Sequence, residues 1–319
     1  MLTFCQETLL EIRAVLLDHL DIGHRREAIE FRVINPDYFS AHFDGEFVDH
    51  DGQPVRYRTI QCWLELAESL RCRLSVPRRL EPPFMQLRFE PIAETQCLHR
   101  AAMKSGETEK YGVASEYARL RRFEEPSFVH GIAEAMREAR LSSGQRVLIL
   151  GVNRGDEIEG LNGLLDPAIR QEIEWVGVDH CPSAIAEAEN RFAELNTMFH
   201  CADLDDFDWS SSGAFDLVVA INTLHSPTLD GQAICRRVVK DVLTANGTLI
   251  LGFPNCRYEN MTLRYGARVK NYAEPEFSTL FRQVSAFRRY LNQQGFKTRL
   301  TGKYTWLLAG HRPKLHREV

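Results

Sequence analysis

Four short stretches of this chain place reactive residue types where an apolar run gives way to a loop. In RVLILGVNRGDEIEGL, Arg146 to Leu161, the run ends in Gly151, Asn153 and Gly155. Glycine lets a backbone approach a ligand closely, and asparagine is among the few other residues that tolerate a left-handed conformation. A helix starting just beyond would add amide donors for an anionic or polar ligand. A tight strand-to-helix turn accounts for the same spacing with no ligand at all. In VGVDHCPSA the run ends in Asp179, followed by His180. A carboxylate accepts two hydrogen bonds at once and suits the paired hydroxyls of a ribose. The competing role, capping the next helix, has Ser183 to fill it.

The third stretch, CADLDDFDW, sets Asp203 where an exocyclic amino group such as adenine's would donate, and Leu204 where it would cover the ring. Asp205, Asp206 and Asp208 read as surface charge. The fourth, AINTLHSP, brings Asn222, Thr223 and His225 to the mouth of the same cleft. His225 is the best-placed general base, since an unperturbed imidazole titrates near pH ~6.5. A histidine packed beneath the loop is its plainer alternative. Cys256, in FPNCRY, has no second cue for covalent chemistry and reads as an incidental thiol.

Elements of two kinds must hold these residues. From about residue 115 helix and strand patterns alternate: a helix in EPSFVHGIAEAMREARL, then strands in RVLIL, EWVGVDH, TMFHCADL, FDLVVAINTL and GTLILGF. Helices are expected over Leu161 to Gln171, PSAIAEAENRFAEL, GQAICRRVVKDVL and PEFSTLFRQVSAFRRYLNQQG, with FKTRLTG and KYTWLLAGH as two closing strands. Near-continuous apolar strands alternating with helices predict a parallel sheet covered on both faces. Such sheets bind ligands beyond the carboxyl ends of their strands. Residues 1–95 differ: two amphipathic helices, two strands around a proline-marked turn, and a hairpin in AHFDGEFVDHDGQPVRYRT with Asp-Gly turns at Asp44-Gly45 and Asp51-Gly52. The polar AAMKSGETEKYG reads as a linker, so the expected domains are 1–105 and 106–319.

Composition narrows the class further. The chain has 319 residues and 44% hydrophobic content, enough for a sizeable core. No apolar run reaches the ~18 residues a membrane helix needs, and the N-terminus has no basic leader. Eight cysteines without a C-x-x-C pair argue against a zinc ribbon or disulfide framework and for a cytoplasmic protein with reduced thiols. The net charge of −5 divides into −4 over residues 1–100, −10 over 101–255 and +9 over 256–319. A basic tail on an acidic body points to a local anionic partner.

In their order and spacing, LILGVNRG, VGVDHCPSAI, HCADLDDF, FDLVVAINTLH and LTANGTLILGFPN resemble the class I S-adenosylmethionine-dependent methyltransferases, over about residues 110–311. The resemblance implies a Rossmann-like, mostly parallel seven-stranded sheet with an antiparallel last strand, beside a small N-terminal α+β domain. It implies S-adenosylmethionine as cofactor. Gly151 and Gly155 would line its methionine part, Asp179 would hold its ribose, and Asp203 and Leu204 would meet its adenine; Asn222 would lie under the transferable methyl, with Asn153 and His180 as further cofactor contacts. Tyr111 and Arg119, in the entry segment EKYGVASEYARLRRF, are candidates for the cofactor's carboxylate. The sequence departs from the family twice: Ile149 replaces an acid often found two residues before the first glycine, and Asn153 replaces the second glycine. Asp156 and Glu157 are alternative partners for the methionine amine, or first-turn helix charges.

The stretch Pro254 to Pro275 is longer than an ordinary connection and interleaves Arg257, Arg264, Arg268 and Lys270 with Tyr258, Tyr265 and Tyr272. Arginine and tyrosine together suit an anionic or planar methyl acceptor, with Arg257, Tyr258, Arg264 and Tyr265 as its contacts. Three readings remain: methylation of a small or medium-sized molecule, modification of tRNA, and a non-catalytic S-adenosylmethionine-binding module. The N-terminal domain would serve substrate recognition or homodimerisation.

Overall fold

The computed structural model describes residues 1–21, 27–92, 112–209, 212–226, 228–259, 262–265 and 275–313; for residues 21, 116–117, 256–259, 262–265 and 275–281 it describes the backbone alone. The chain divides into two compact units, Met1–Thr95 and Gln96–Val319.

The first unit contains β1 (Leu2–Phe4), α1 (Leu9–Asp21), β2 (Ile29–Ile34), β3 (Phe47–His50), β4 (Gln53–Arg56), α2 (Ile60–Ser69), β5 (Cys72–Leu74), β6 (Arg78–Arg79) and β7 (Phe84–Pro91). Its sheet runs β1-β2-β7-β5, with β6 also paired to β7. Alternation along β2 and β7 turns Phe31, Val33, Met85, Leu87 and Phe89 inward, where they pack with Ile12 and Leu16 of α1 and Trp63 of α2. The other residues, Glu30, Gln86, Arg88 and Glu90, line a groove of about 430 Å³. Arg88 there is already paired with Glu30 at 3.1 Å and Glu90 at 2.8 Å. The expected hairpin is β3–β4, closed by Asp51 and Gly52 at φ +50° and +75°, the two-residue turn whose twist matches paired strands.

The second unit contains α3 (Pro126–Ala139), β8 (Arg146–Leu150), α4 (Asp156–Leu164), β9 (Glu174–Asp179), α5 (Pro182–Arg191), β10 (Thr197–Cys201), β11 (Phe215–Ile221), α6 (Gly231–Arg237), β12 (Leu243–Pro254), β13 (Cys256–Glu259), β14 (Thr262–Tyr265), α7 (Pro275–Gln293), β15 (Lys297–Thr301) and β16 (Thr305–His311). Seven strands form one sheet in the order β10-β9-β8-β11-β12-β16-β15. All neighbouring pairs are parallel except those of β16, which runs antiparallel to both β12 and β15. The expected mostly parallel sheet with an antiparallel last strand is therefore present.

Strand alternation divides the core between the two faces. Val147, Ile149, Trp175, Leu217 and Val219 pack against α3, α4 and α5 through Phe128, Ile132, Ile158, Leu161 and Ile185. Leu148, Leu150, Val176, Val178 and Val218 pack on the opposite face with Ile234 and Cys235 of α6 and Val284, Phe287 and Leu291 of α7. Burial on both faces is why these strands read as unbroken apolar runs.

Local expectations need three corrections. The helix expected over Leu161 to Gln171 is α4, which starts earlier, at Asp156, and ends at Leu164. Pro167 disfavours a helical residue before it, and the Asp166 carboxylate accepts the Ala168 amide in a turn. The helix expected over GQAICRRVVKDVL is α6 followed by one π-helical turn, Val238–Val242, and β12 begins directly at Leu243. Ser183 does not cap α5: Cys181 is the N-cap residue and Pro182 occupies the first turn, where its missing N–H costs nothing.

Candidate functional site

The chain runs outward from β8 through β9 to β10, then returns to β11 on the other side of β8. That reversal puts a crevice between the carboxyl ends of β8 and β11, the place where open α/β sheets take ligands. Gly151 follows β8, Asp179 ends β9, Asp203 follows β10 and Asn222 follows β11. At ~4.8 Å per strand these four ends lie side by side along one edge of the sheet.

The β8–α4 loop takes its shape from three left-handed residues, Gly151, Asn153 and Gly155, at φ +71°, +47° and +84°. The conformation asparagine was expected to supply is thus the one it adopts, and its Oδ1 accepts the next amide, of Arg154, at 2.9 Å. Gly155 is the N-cap residue of α4. A Cβ at Gly155 would come within 2.3 Å of the Phe192 ring, so the loop and α5 fit together only around a glycine. A Cβ at Gly151 would come within 2.4 Å of Thr223 Oγ1.

Thr223 joins the two sides of the crevice. Its hydroxyl donates to the Leu150 carbonyl at 2.9 Å, linking the turn after β11 to the end of β8. Sequence reading placed Thr223 only at the cleft mouth; its sole signal was its position beside Asn222. Asn222 is itself left-handed, at φ +56°, and its amide donates to the Gly252 carbonyl of β12. His225, two residues after Thr223, is half-buried in the same turn.

Asp179 is buried, and its carboxylate clamps two loops. Oδ2 accepts the Asn153 amide and Oδ1 the Cys181 amide, each at 2.9 Å. Neighbouring His180 is more open, with Nδ1 3.6 Å from Asp179 Oδ1. Each carboxylate oxygen keeps a second acceptor site, so the clamp is compatible with two further donors. Asp203 is exposed, its Oδ1 accepting the Asp205 amide at 3.0 Å, whereas Leu204 is packed in the core.

The acids that open α4 differ sharply. Asp156 is held by three arginines: Arg191 at 2.7 Å, Arg154 at 3.0 Å and Arg121 at 3.4 Å. Arg191 also donates to the Arg154 carbonyl and pairs with Glu159. The half-buried Glu157 has no such partner among the described residues. Burial pushes its carboxyl up from 4.5 to about 7; its own amide and Arg122 oppose this, and Asp156 and Asp179 add to it. Ile149 is fully buried in the core on the α3 side of the sheet.

The entry segment forms two short 3₁₀ turns, Glu116–Arg119 and Arg122–Glu124. Arg119 is exposed at the end of the first. Arg121 and Phe123 reach α4, through Asp156 and Gly160 respectively. Tyr111 lies outside the described residues. Arg257, Tyr258, Arg264 and Tyr265 lie on the β13–β14 ribbon that follows β12, with Arg257 directly opposite Arg264 and Tyr258 opposite Leu263. Arg268, Lys270 and Tyr272 lie outside the described residues. No group of metal-ligating side chains and no helix long and apolar enough to cross a membrane occur among the described residues.

Comparison with known proteins gives a family match for part of the second unit. The chain resembles the TehB-like S-adenosylmethionine-dependent methyltransferase of Corynebacterium glutamicum at 18% identity, over 57% of this chain and 88% of that one, with TM-score 0.35. It resembles the magnesium protoporphyrin IX methyltransferase of Synechocystis at 19% identity, over 64% and 95%, with TM-score 0.40. The plantazolicin methyltransferase BpumL aligns at 12% identity over 67% and 95%, with TM-score 0.47. No curated protein matches the chain at a significant level. Residues 147–247, from β8 into β12, match the family model described as a methyltransferase domain. That match lies within the seven-stranded sheet ordered β10-β9-β8-β11-β12-β16-β15, so residues 147–247 carry the likeness to a methyltransferase domain.

Proposed function

We propose that the chain transfers the methyl group of S-adenosylmethionine to a small or medium-sized acceptor that is anionic or planar. The observation that carries this reading is the alignment of Gly151, Asp179, Asp203 and Asn222 at four adjacent strand ends around the reversal in strand order. The donor set fits the cofactor. Asp179 has two free acceptor sites for ribose hydroxyls, with His180 beside it, and Asp203 is open to accept from the adenine amino group. Gly151, Asn153 and Gly155 shape the loop assigned to the methionine part, and Arg119 of the entry segment is the candidate for its carboxylate. When bound, the cofactor supplies an electrophilic methyl on a sulfonium.

The chain's own part in such a transfer is alignment and exclusion of water, since fixing two reactants in line removes most of the entropic barrier. Thr223, by tying β11 to β8, fixes the crevice that Asn222 borders. His225 is assigned as the base that takes a proton from the acceptor where one must leave. The β13–β14 ribbon supports an anionic acceptor: like charges directly opposite, as Arg257 and Arg264 are, weaken a ribbon unless an anion lies between them. Tyr258 and Tyr265 on the same ribbon suit a planar one. The first unit is assigned to acceptor recognition or to pairing of two copies.

Calorimetry with S-adenosylmethionine and S-adenosylhomocysteine tests the cofactor half; no binding of either would refute the proposal. Labelled methyl transfer into cell lysate fractions, with and without ribonuclease, tests the acceptor half. Label in ribonuclease-sensitive material, with salt-dependent retention of tRNA, would replace the small acceptor by RNA.

A further inference from the structure

We infer that the α6–α7 layer of the second unit docks double-stranded RNA at the amino ends of the strands, away from the crevice. α6 and its π-helical turn lead into the start of β12 and carry Arg236, Arg237 and Lys240, all exposed. The C-terminal half of α7 carries Arg288 and Arg289, also exposed, and leads into β15 at Lys297. β16, antiparallel to β12, ends in the same place: His311 lies opposite both Thr248 of β12 and Lys297 of β15. Arg312 follows it, its Nη1 donating to the Ala245 carbonyl at 3.4 Å and its Cζ 4.7 Å from the centre of the Phe296 ring. The run of β12 from Thr248 to Pro254 is ~20 Å long at ~3.3 Å per residue, so this pole and the crevice lie at opposite ends of the sheet. Nothing at the pole depends on which cofactor or acceptor the crevice takes.

Charge of one sign gathers there. Over residues 231–247, 285–298 and 309–313, which build the pole, Asp241 is the only acid. Elsewhere in the unit arginines are matched: Arg154 and Arg191 meet Asp156, Arg146 meets Glu174, and Arg299 turns to Glu134 and Glu138 of α3 on the other face. The exposed cations of α6, its π-helical turn, α7 and Lys297 have no carboxylate within 4.0 Å among the described residues. On a chain of net charge −5 such a concentration is local, and it suits a polyanion that meets several of these side chains at once.

The lining chooses among polyanions. Arg288 and Arg289 share a groove of about 500 Å³ with Ser285, Asn292 and Gln293, and hydroxyl and amide side chains beside arginines bond to phosphate and sugar oxygens. Among the described residues of the pole no large apolar or aromatic side chain is exposed. A single strand would need aromatic rings to stack on, and a membrane surface would need apolar groups to insert. α7 lies with Val284, Phe287 and Leu291 against the sheet, and the Arg288 Nε donates to Thr298 Oγ1 of β15 at 3.4 Å. The helix thus presents its flank and cannot enter a major groove, where B-form DNA is read. The wide, shallow minor groove of an RNA duplex, which displays 2′-hydroxyls between its phosphates, accepts such a flank.

Fluorescence anisotropy of a labelled RNA duplex of about 16 base pairs, titrated with the whole chain, is the test. With about five phosphates engaged, log affinity should fall against log salt with a slope of roughly −4 to −5, a loss of about two to three orders of magnitude between about 50 and 200 mM. Replacing Arg237 and Arg289 together by alanine should weaken binding and make the slope shallower by about 2. Alanine is a strong helix former and both positions are exposed, so this double variant should keep the wild-type melting temperature. Arg137→Ala, exposed on α3 across the sheet, should leave affinity and slope unchanged. Absence of RNA binding by the wild-type chain at the lower salt would overturn the assignment without recourse to any variant. So would a slope that the double substitution leaves unchanged, equal affinity for a DNA duplex of the same length, or tighter binding of a single strand. Retention by phosphatidylserine vesicles in place of RNA would give the pole to a membrane and overturn it as well.

Discussion

Replacing Asp179 by alanine should loosen the second unit before any ligand is involved. The carboxylate accepts the Asn153 amide through Oδ2 and the Cys181 amide through Oδ1, both at 2.9 Å, with its side chain almost wholly buried. Alanine leaves both amides without an acceptor in a site water scarcely enters. A buried donor stranded in this way costs about 1–3 kcal/mol. Two of them, less the relief of no longer burying a charge, give a loss on the order of 3 kcal/mol. For a unit of this size 1 kcal/mol moves Tm by roughly 2–4 °C, so the variant should melt roughly 6–12 °C below the wild type. Asp179→Asn keeps one oxygen and places an NH₂ against the other amide; it should lose about half as much. Thermal melts followed by circular dichroism without cofactor provide the assay. A Tm for Asp179→Ala within 2 °C of wild type would refute the view that this carboxylate holds the two loops. The result also governs the reading of binding data, since Asp179→Ala would lose affinity through loop disorder as well as through the ribose.

The remaining predictions concern the same loop. Glu157 has a folded-state pKa raised from 4.5 to about 7, so the folded state holds its proton more tightly than the unfolded chain, and stability is lost as pH rises from 4.5 through 7. Glu157→Gln cannot titrate; it should melt above the wild type at pH 8, by up to about 3 kcal/mol, and the gap should close below pH 5. A constant gap across that range would refute the shift. Gly151→Ala should cost about 2 kcal/mol or more from its +71° φ and the approach to Thr223 Oγ1. Adding Thr223→Ala should recover part of that loss, and strictly additive effects in denaturant melts would disprove the contact. Asn153→Gly should change stability by less than about 1 kcal/mol, because glycine takes the left-handed conformation freely while the Asn153 bond to the Arg154 amide is lost. A loss well beyond that would give the asparagine side chain a further partner.

What the sequence by itself determined is the order of the elements and the identity of the strand ends. Apolar runs such as RVLIL and FDLVVAI are legible because both faces of the sheet are covered, and turn chemistry at Asp51-Gly52 and Gly151-x-Asn153 has strict backbone requirements. The departure at Asn153 was legible for the same reason. Helix ends were less so. Pro167 and the Asp166 turn end α4 early, and the π-helical turn at Val238–Val242 has no periodicity of its own to announce it.

Tertiary structure alone decided which of two neighbouring acids has no arginine partner among the described residues. Asp156 and Glu157 are equivalent as letters, yet Asp156 meets arginines from α5, from its own loop and from the entry segment, 35 residues away in either direction for Arg191 and Arg121. Likewise the Thr223 hydroxyl reaches Leu150 across 73 residues, and the Asp179 carboxylate closes a loop 26 residues upstream. Local pattern encodes backbone conformation because sterics act between neighbours. Charge pairing and the filling of space around Gly151 and Gly155 are set by partners that only the folded sheet brings together.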